Sequence, residues 1–525
     1  MVDTGDTTLD ALITGLLDDP AKRDESEFTY TFDLSEGTIL DPEFDVLSDE
    51  MIQRHLALFA EVAALTGLVF REVSPIDSPD FYFAFREGVS TAYVTSHFDG
   101  TLHVYNPARD TPVLGTYTDH LILHELGHGL GLEHGHGIGR LPEPYQGHSW
   151  SVMSYRAHPA TDSLFFTDSH GPETYMLVDI AALQWLYGAN FETAAGDTVY
   201  TVDFDSGEFF VDGIGQGVPN NNDVLRTVWD GGGSDTLDLS NAETGLRIDL
   251  RPGAFTSFGE SYLAYQGEGR FGENLYAAGN IANAYLYEGN LASLLENAIG
   301  GDYNDSITGN QVSNSLNGGA GHDSLFGLAG DDHLTGGAGN DLIVDGIGRT
   351  QADGDAGLDF IVILSGLSDV SGGLDGDILV GGVDDDILTG GGGNDVLRGD
   401  AGRGLLFGSD TLMGGVGDDL LMGGRGADQF VFRPYDDDDV IGSFFASDLE
   451  TDGAADVFAR GADFQPGIDK IVLRGFADVD ATNVLDFVSL DADGRHAVFA
   501  TEGVSVTVFD ILPSSLSIDD FVFVT

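Results

Sequence analysis

The stretch GGAGHDSLFGLAGDDHLTGGAGNDLIV (residues 318–344) is three nonapeptides in strict register on the pattern G-G-x-G-x-D-x-U-x with U a large apolar residue, Leu328 replacing the second glycine of the middle unit. The glycine-rich half of each unit favours a turn, and the x-U-x half is a short strand whose U side chain points inward. Stacked units of this kind bring backbone carbonyls and the sixth-position aspartates together around a hard cation, for which calcium is the natural choice. GGDYNDSIT from Gly300 and a degraded GNQVSNSLN from Gly309 precede the three units in the same phase, and a looser GDAGLDFIV begins at Gly354. A second array, GGLDGDILV, GGVDDDILT and GGGGNDVLR, fills residues 372–398, and GGVGDDLLM and GGRGADQFV follow at residues 414–431 after an irregular unit. The pattern predicts a parallel β-roll with Leu325, Leu334, Ile343, Leu379, Leu388 and Leu397 in its core. Its calcium ligands are Asp305, Asp323, Asp332, Asp341, Asp359, Asp377, Asp386, Asp395, Asp419 and Asp428. A flexible Gly/Asp linker has no reason to keep an apolar residue two places after each aspartate.

Composition agrees with a cation-dependent fold. The 525 residues include 88 acidic and 21 basic side chains, a formal charge of -67, which argues against nucleic acid or an anionic membrane as a partner. Hydrophobic residues make up 42% of the chain, so the acid sits on a folded scaffold and not in a disordered tail. Cysteine is absent, so bound metal has to do the stapling that disulfides do elsewhere. The first residues have no basic start followed by an apolar core, and no run of about 18 apolar residues suggests a membrane span.

Ahead of the glycine-rich region the chain reads as a mixed domain. FTYTF (28–32) and FYFAF (81–85) alternate like half-buried strands. Residues 48–65 read as a helix with Ser48 as N-cap, Leu47 and Ile52 as a hydrophobic staple and Gly67 past its end. A further helix is expected over residues 174–188, and Thr116 with Asp119 resembles a capping box that starts a helix through LILHELGH. Past residue 431 strand-like runs return, with the acidic run 436–439 expected as a solvated loop.

The chemistry lies in HELGHGLGLEHGHG (124–137). At about 100° per residue, His124 and His128 share one helix face with Glu125 beside them, the H-E-x-x-H pattern of a zinc hydrolase in which two imidazoles hold the ion and the carboxylate takes a proton from water. Were the helix to continue, His134 would point away from His128, so the chain has to turn at Gly131 to bring the third imidazole back. The full string is the metzincin signature, and SVMSY supplies that group's second element, a turn with Met153 beneath the metal.

On these motifs the chain resembles the serralysins, bacterial metzincins that join a zinc endopeptidase domain to calcium-binding repeats. LDALITG (9–15), DIAALQWLYGAN (179–190), TVWDGGGSDTLDLS (227–240) and RIDLRPGAF (247–255) carry the likeness along the chain. It implies that Tyr155 ligates zinc at rest and supports the oxyanion during catalysis, that Asp235 joins the calcium ligands, and that the terminal DFVFV is an uncleaved type I secretion signal. Two departures stand out: Gly135 follows His134 where the family usually has proline, and the loop to Met153 is short. His136, His148 and His158 are read as solvated loop histidines, because the three-imidazole shell is already complete.

The resulting expectation is an α+β metzincin protease domain followed by an all-β parallel β-roll (RTX) and a C-terminal β-sandwich-like region. Its divisions are an N-terminal segment and short propeptide (1–26), the protease domain (27–195), a linker with strands (196–299), the roll (300–433) and a C-terminal β region with the secretion signal (434–525). The implied protein is a secreted, extracellular, bacterial monomer with one catalytic zinc and several structural calcium ions. Its implied partners are polypeptide substrates, the type I secretion machinery and a proteinaceous inhibitor. The rival class is a non-catalytic calcium-binding RTX surface or adhesion protein carrying a retired protease domain.

Overall fold

Asp6 accepts hydrogen bonds from the Thr8 and Leu9 amides and starts α1 (Thr7–Leu16) in the computed structural model of the chain. The structure describes residues 2, 4–17, 19–34, 43–97, 100–135, 141–161, 170–400, 408–442, 464–476, 479–492, 496–501, 504–509 and 511–524. His136 lies outside the described residues. The chain divides into two units, one of Met1–Ala242 with Leu246–Asn297 and one of Glu243–Gly245 with Ala298–Thr525.

In the first unit, β1 (Glu27–Thr31) and β2 (Phe44–Asp45) lead to α2 (Asp49–Thr66). The Ser48 hydroxyl caps this helix by accepting the Met51 amide, and Gly67 closes it in the left-handed region at φ 77°, as the sequence predicts. β3 (Val69–Glu72), β4 (Phe81–Arg86), β5 (Ala92–His97) and β6 (Gly100–Tyr105) follow. They assemble in the order β3-β1-β4-β6-β5, with β2 on β4; β5 is antiparallel to β6 and forms an edge. α3 (Tyr117–Gly129) and α4 (Leu177–Tyr187) complete the set. α4 begins three residues later than the sequence suggests, at Leu177, where Asp179 accepts the Met176 amide.

FYFAF is not half-buried. Phe81, Phe83 and Phe85 pack into the main core with Phe59 of α2, while Tyr82 and Ala84 pack on the opposite face with Leu102 and Val104 of β6. Phe44, Val89 and Tyr93 cover that second face, which makes β4 a central strand buried on both sides. α1 also belongs to the main core: Leu9, Leu12, Ile13 and Leu16 are all buried there.

In the second unit successive strands alternate between two parallel sheets. Ser315–Ala320, Asp332–Ala338, Thr350–Ala356, Ser368–Leu374, Ile387–Gly392 and Thr411–Val416 follow one another in one sheet. Ser306–Thr308, Ser324–Phe326, Leu342–Ile347, Phe360–Ser365, Ile378–Gly382 and Val396–Asp400 follow one another in the other. Register is set by the apolar position of each repeat, so Leu325 pairs with Ile343 and Leu316 with Leu334. Every expected core residue from Leu325 to Leu397 is fully buried. Burial of such a stripe between two sheets is the main favourable term available to strands this short.

The C-terminal strands add to these same two sheets. Lys470–Arg474 pairs with Gln429–Phe432 and then with Phe521–Val524, and Val504–Val508 pairs with Asp437–Ile441. The acidic run 436–439 is therefore not a solvated loop: it enters the strand Asp437–Ile441, with Asp436 and Asp439 buried and Asp437 and Asp438 facing out. Among the described residues no helix is long and apolar enough to cross a membrane.

Candidate metal centre

α3 carries His124, Glu125 and His128 and stops at Gly129, after which Gly131 takes φ 96° and turns the chain. The turn returns His134 to the helix face, and ring nitrogens of His124, His128 and His134 lie within 4.8 Å of one another. The glycines inside the helix answer to packing. A Cβ on Gly127 would stand 2.7 Å from the Met153 sulfur, and one on Gly129 would stand 2.8 Å from the ring of His103. Gly127 thus lets Met153 sit against the helix directly beneath the histidines, at a cost in helix propensity of about 1 kcal/mol.

Hydrogen bonds fix the rings. His124 donates from Nδ1 to the Val152 carbonyl at 2.9 Å and His128 from Nδ1 to the Leu132 carbonyl at 2.8 Å. A carbonyl can only accept, so in the neutral ring each Nε2 carries a lone pair, the tautomer a metal ligand needs. Burial and the neighbouring His128 push the His124 pKa well below its ordinary value, and burial also lowers His128, so both rings are neutral. The Nε2 atoms of His128 and His134 face each other at 3.1 Å. Two ring nitrogens at that separation can share a cation, so the residues fit a tetrahedral, nitrogen-preferring ion such as zinc.

Glu125 is 6% exposed, and burial alone pushes its carboxyl up to about 7. The Tyr155 ring lies 4.4 Å from that of His134 and 5.5 Å from that of His124, with 42% of its surface exposed. Met153 is fully buried; its amide donates to the Ser151 hydroxyl and its carbonyl accepts the Gly135 amide. One residue that the sequence reading passes over organises this turn. The Asp179 carboxylate accepts the Ser151 hydroxyl at 2.6 Å and the amides of Val152 at 2.8 Å and Met176 at 3.0 Å. An acid inside the apolar helix LVDIAALQWLY is the signal that marks it.

Two sequence expectations change here, those for Asp119 and His148. Asp119 does not complete a capping box. Thr116 caps its amide, but the Asp119 carboxylate is buried against Arg54. His148 is no solvated loop residue: it is 1% exposed, meets the Ser154 carbonyl through Nε2 at 3.0 Å and packs 4.4 Å from the His120 ring. His158 is half-buried and accepts the Ala160 amide at 3.1 Å.

The second set of acidic residues forms two ladders along the roll. In one, the amides of Asp305, Asp323, Asp341, Asp359, Asp377 and Asp395 each donate to Oδ1 of the aspartate one coil further on, as far as Asp419, at 2.7–2.8 Å, and the Asp419 amide donates to Asp439 at 3.1 Å. In the other, Asn314 donates to Asp332, and Asp386, Asp410 and Asp428 continue towards Asp469. The buried Oδ2 atoms of Asp323, Asp332, Asp341, Asp359, Asp377, Asp386, Asp395, Asp419 and Asp428 have no protein hydrogen bond. Orphaned, buried carboxylate oxygens in turns rich in carbonyls fit calcium. Asp235, with the Thr198 amide on Oδ1 and a buried Oδ2, has the same arrangement in the first unit. The irregular unit hides Asp410 and the acidic run hides Asp439, whose Oδ2 atoms are equally orphaned. Along the second ladder Thr350 and Ser368 stand where the repeat has aspartate; Thr350 instead donates to Asp345, a carboxylate in the first-glycine position.

Comparison with known proteins bears on the repeats and on the residues just ahead of them. The family model described as Peptidase M10 serralysin C terminal matches residues 189–262, and that of the RTX calcium-binding nonapeptide repeat matches 309–343, 371–406 and 407–432. Metallopeptidase AprA of Pseudomonas marginalis is 33% identical over 247 residues, 45% of this chain and 46% of that protein. Over part of its length the chain is similar to the serralysins. Serralysin of Proteus mirabilis is 35% identical over 216 residues, 39% of this chain and 38% of that one. Serralysin B of Dickeya chrysanthemi is 32% identical over 290 residues, 49% of this chain and 52% of that one. The chain spans about half or less of the length of the curated relatives it matches. Among solved structures, the extracellular lipase LipA of Serratia marcescens is 20% identical with a TM-score of 0.21, covering 43% of this chain and 39% of that one, a likeness too slight to carry an argument. The matched repeats are calcium-binding nonapeptides, and the ladders are where their aspartates lie.

Proposed function

We propose that the chain is a secreted zinc-dependent endopeptidase with a metzincin domain over residues 27–195, held in its working form by calcium bound along the roll. The observation that carries this reading is the convergence of three imidazoles within 4.8 Å beside the buried Glu125. Its partial similarity to the serralysins and the names of its relatives support it.

His124, His128 and His134 would hold the ion. Bound there, zinc supplies Lewis-acid polarisation of a peptide carbonyl and acidifies water. Glu125, buried beside the three imidazoles, would take a proton from water and pass it to the leaving amine. Tyr155, half-exposed beside His134, donates its hydroxyl to the oxyanion. A substrate polypeptide lies extended along β5, which among the described residues is an edge strand and can take an antiparallel partner. We place the C-terminal strand in type I secretion, and the calcium requirement of the roll suits export of an unfolded chain that folds outside the cell. The substrate cleft is also the surface that a proteinaceous inhibitor would fill.

The test is hydrolysis of an unstructured protein by the calcium-loaded chain. Activity should require one zinc per chain and fall by about 10²–10⁴ in Glu125→Ala with zinc content unchanged. Stoichiometric zinc without any hydrolysis that Glu125→Ala removes would point instead to a non-catalytic RTX protein.

A further inference from the structure

The loop between the second and third histidines is held from outside the motif. The Leu16 carbonyl accepts the Glu133 amide at 2.8 Å, and Leu17 forms an antiparallel bridge with Leu132. The Arg23 guanidinium lies over Gly131, within 2.5 Å of where a Cβ would stand, and a Leu16 methyl lies 3.3 Å from the corresponding point on Gly135. Residues 131, 132, 133 and 135 are thus each touched by the N-terminal segment, on both sides of His134. Leu132 is also the residue whose carbonyl orients His128.

The segment is itself fixed. Leu12, Ile13 and Leu16 of α1 are at most 1% exposed. The Trp185 indole donates to the Pro20 carbonyl at 2.9 Å, and the Arg23 amide donates to Leu186 at 2.8 Å. The Arg23 guanidinium donates to the Tyr187 hydroxyl, which in turn donates to the Leu130 carbonyl at the end of α3. A chain of contacts therefore runs from α4 through Arg23 and Leu16 to the turn that returns His134.

We propose that residues 4–25 are a positioning strap for the metal site: they set the Leu132 carbonyl and the Glu133–Gly135 backbone, and so the orientation of His128 and His134. Hydrogen bonds made by the groups that orient metal ligands carry a large part of metal affinity. The segment is then an integral part of the site and not a propeptide whose removal uncovers it. This inference rests on the reading of the three histidines as zinc ligands.

The experiment measures zinc dissociation by competition with a chromophoric chelator, on the full calcium-loaded chain. The variants are Arg23→Ala, Arg23→Ala with Leu16→Ala, and Leu58→Ala, which removes the same apolar group from the buried face of α2, outside the segment. The strap predicts zinc affinity about 10- to 100-fold weaker in the Arg23 and double variants and unchanged in Leu58→Ala, although all three lower the melting temperature. Equal zinc affinity in the Arg23 variant and the parent, or equal losses in Arg23→Ala and Leu58→Ala, overturns it. Should the double variant not fold, the half-buried Arg23 alone decides. A parent chain that takes up no zinc refutes the zinc reading itself, a result distinct from either.

Discussion

At the scale of single residues the site is decided by a few polar groups buried next to apolar ones. Asp179 shows how. Three donors converge on its carboxylate, and two of them belong to the turn that carries Met153 and the Val152 carbonyl on which His124 is hung. Asp179→Ala would leave the buried Val152 and Met176 amides without their acceptor, at about 1–3 kcal/mol for each stranded group. Its expected outcome is a lower melting temperature together with weaker zinc binding, measured by thermal unfolding and chelator competition. Asp179→Asn keeps an acceptor oxygen and should lose less of both. Gly127 makes the complementary point: a glycine in a helix marks the place where Met153 comes close.

At the scale of elements, α3 and the roll use opposite devices. α3 works by stopping: the chain leaves helical geometry after Gly129, which lets residues ten apart meet at one point. The roll works by repeating, with aspartates such as Asp359 and Asp377 receiving an amide from the neighbouring coil through one oxygen and leaving the other buried without a protein hydrogen bond, where we place calcium. Asp359→Ala removes both functions at once, stranding the Asp341 amide and opening a cation site on either side. Calorimetric titration should show calcium lost from the array and a lower melting temperature in saturating calcium. Asp355→Ala, at an exposed position of the same coil, should change neither by as much.

For the molecule as a whole, the formal charge of -67 makes stability a matter of which cations or protons are bound. Without metal, burial pushes Asp323, Asp359, Asp377 and Asp419 up to about 7 and Asp410 and Asp439 up to about 8, from an ordinary value of 3.8. A carboxyl with a raised pKa binds its proton more tightly folded than unfolded. The metal-free roll is therefore most stable at the acid end, near the ordinary carboxylate value, and loses that stability as pH rises to about 7–8. Circular dichroism in excess chelator should show β structure at pH 5.5 that disappears by pH 8.5, and added calcium should restore it at pH 8.5 with release of few protons. At pH 5.5 the same calcium addition should release protons, because the carboxyls must ionise to bind it. A metal-free roll that is equally folded at both pH values would show that these carboxylates do not govern it.

The sequence by itself determined whatever rests on spacing. A nine-residue period places an apolar side chain inside and an aspartate at each turn, and the spacing of His124, Glu125, His128 and His134 around Gly131 holds whatever surrounds it, so the roll's core and the histidine cluster were legible. Periodicity lapses at the irregular unit and the 436–439 run, and there Asp410 and Asp439 were out of reach, since only pairing with the neighbouring coil shows that they continue the ladders. Burial of FYFAF on both faces, of His148, and of Asp119 against Arg54 depends on residues distant in the chain, and no local pattern encodes it. The same holds for the strap, because a hydrogen bond from Glu133 to Leu16 joins segments whose proximity exists only once α1 has packed into the core. Local spacing fixes which groups can act together; long-range packing fixes which of them are dry, how they are oriented, and what holds them there.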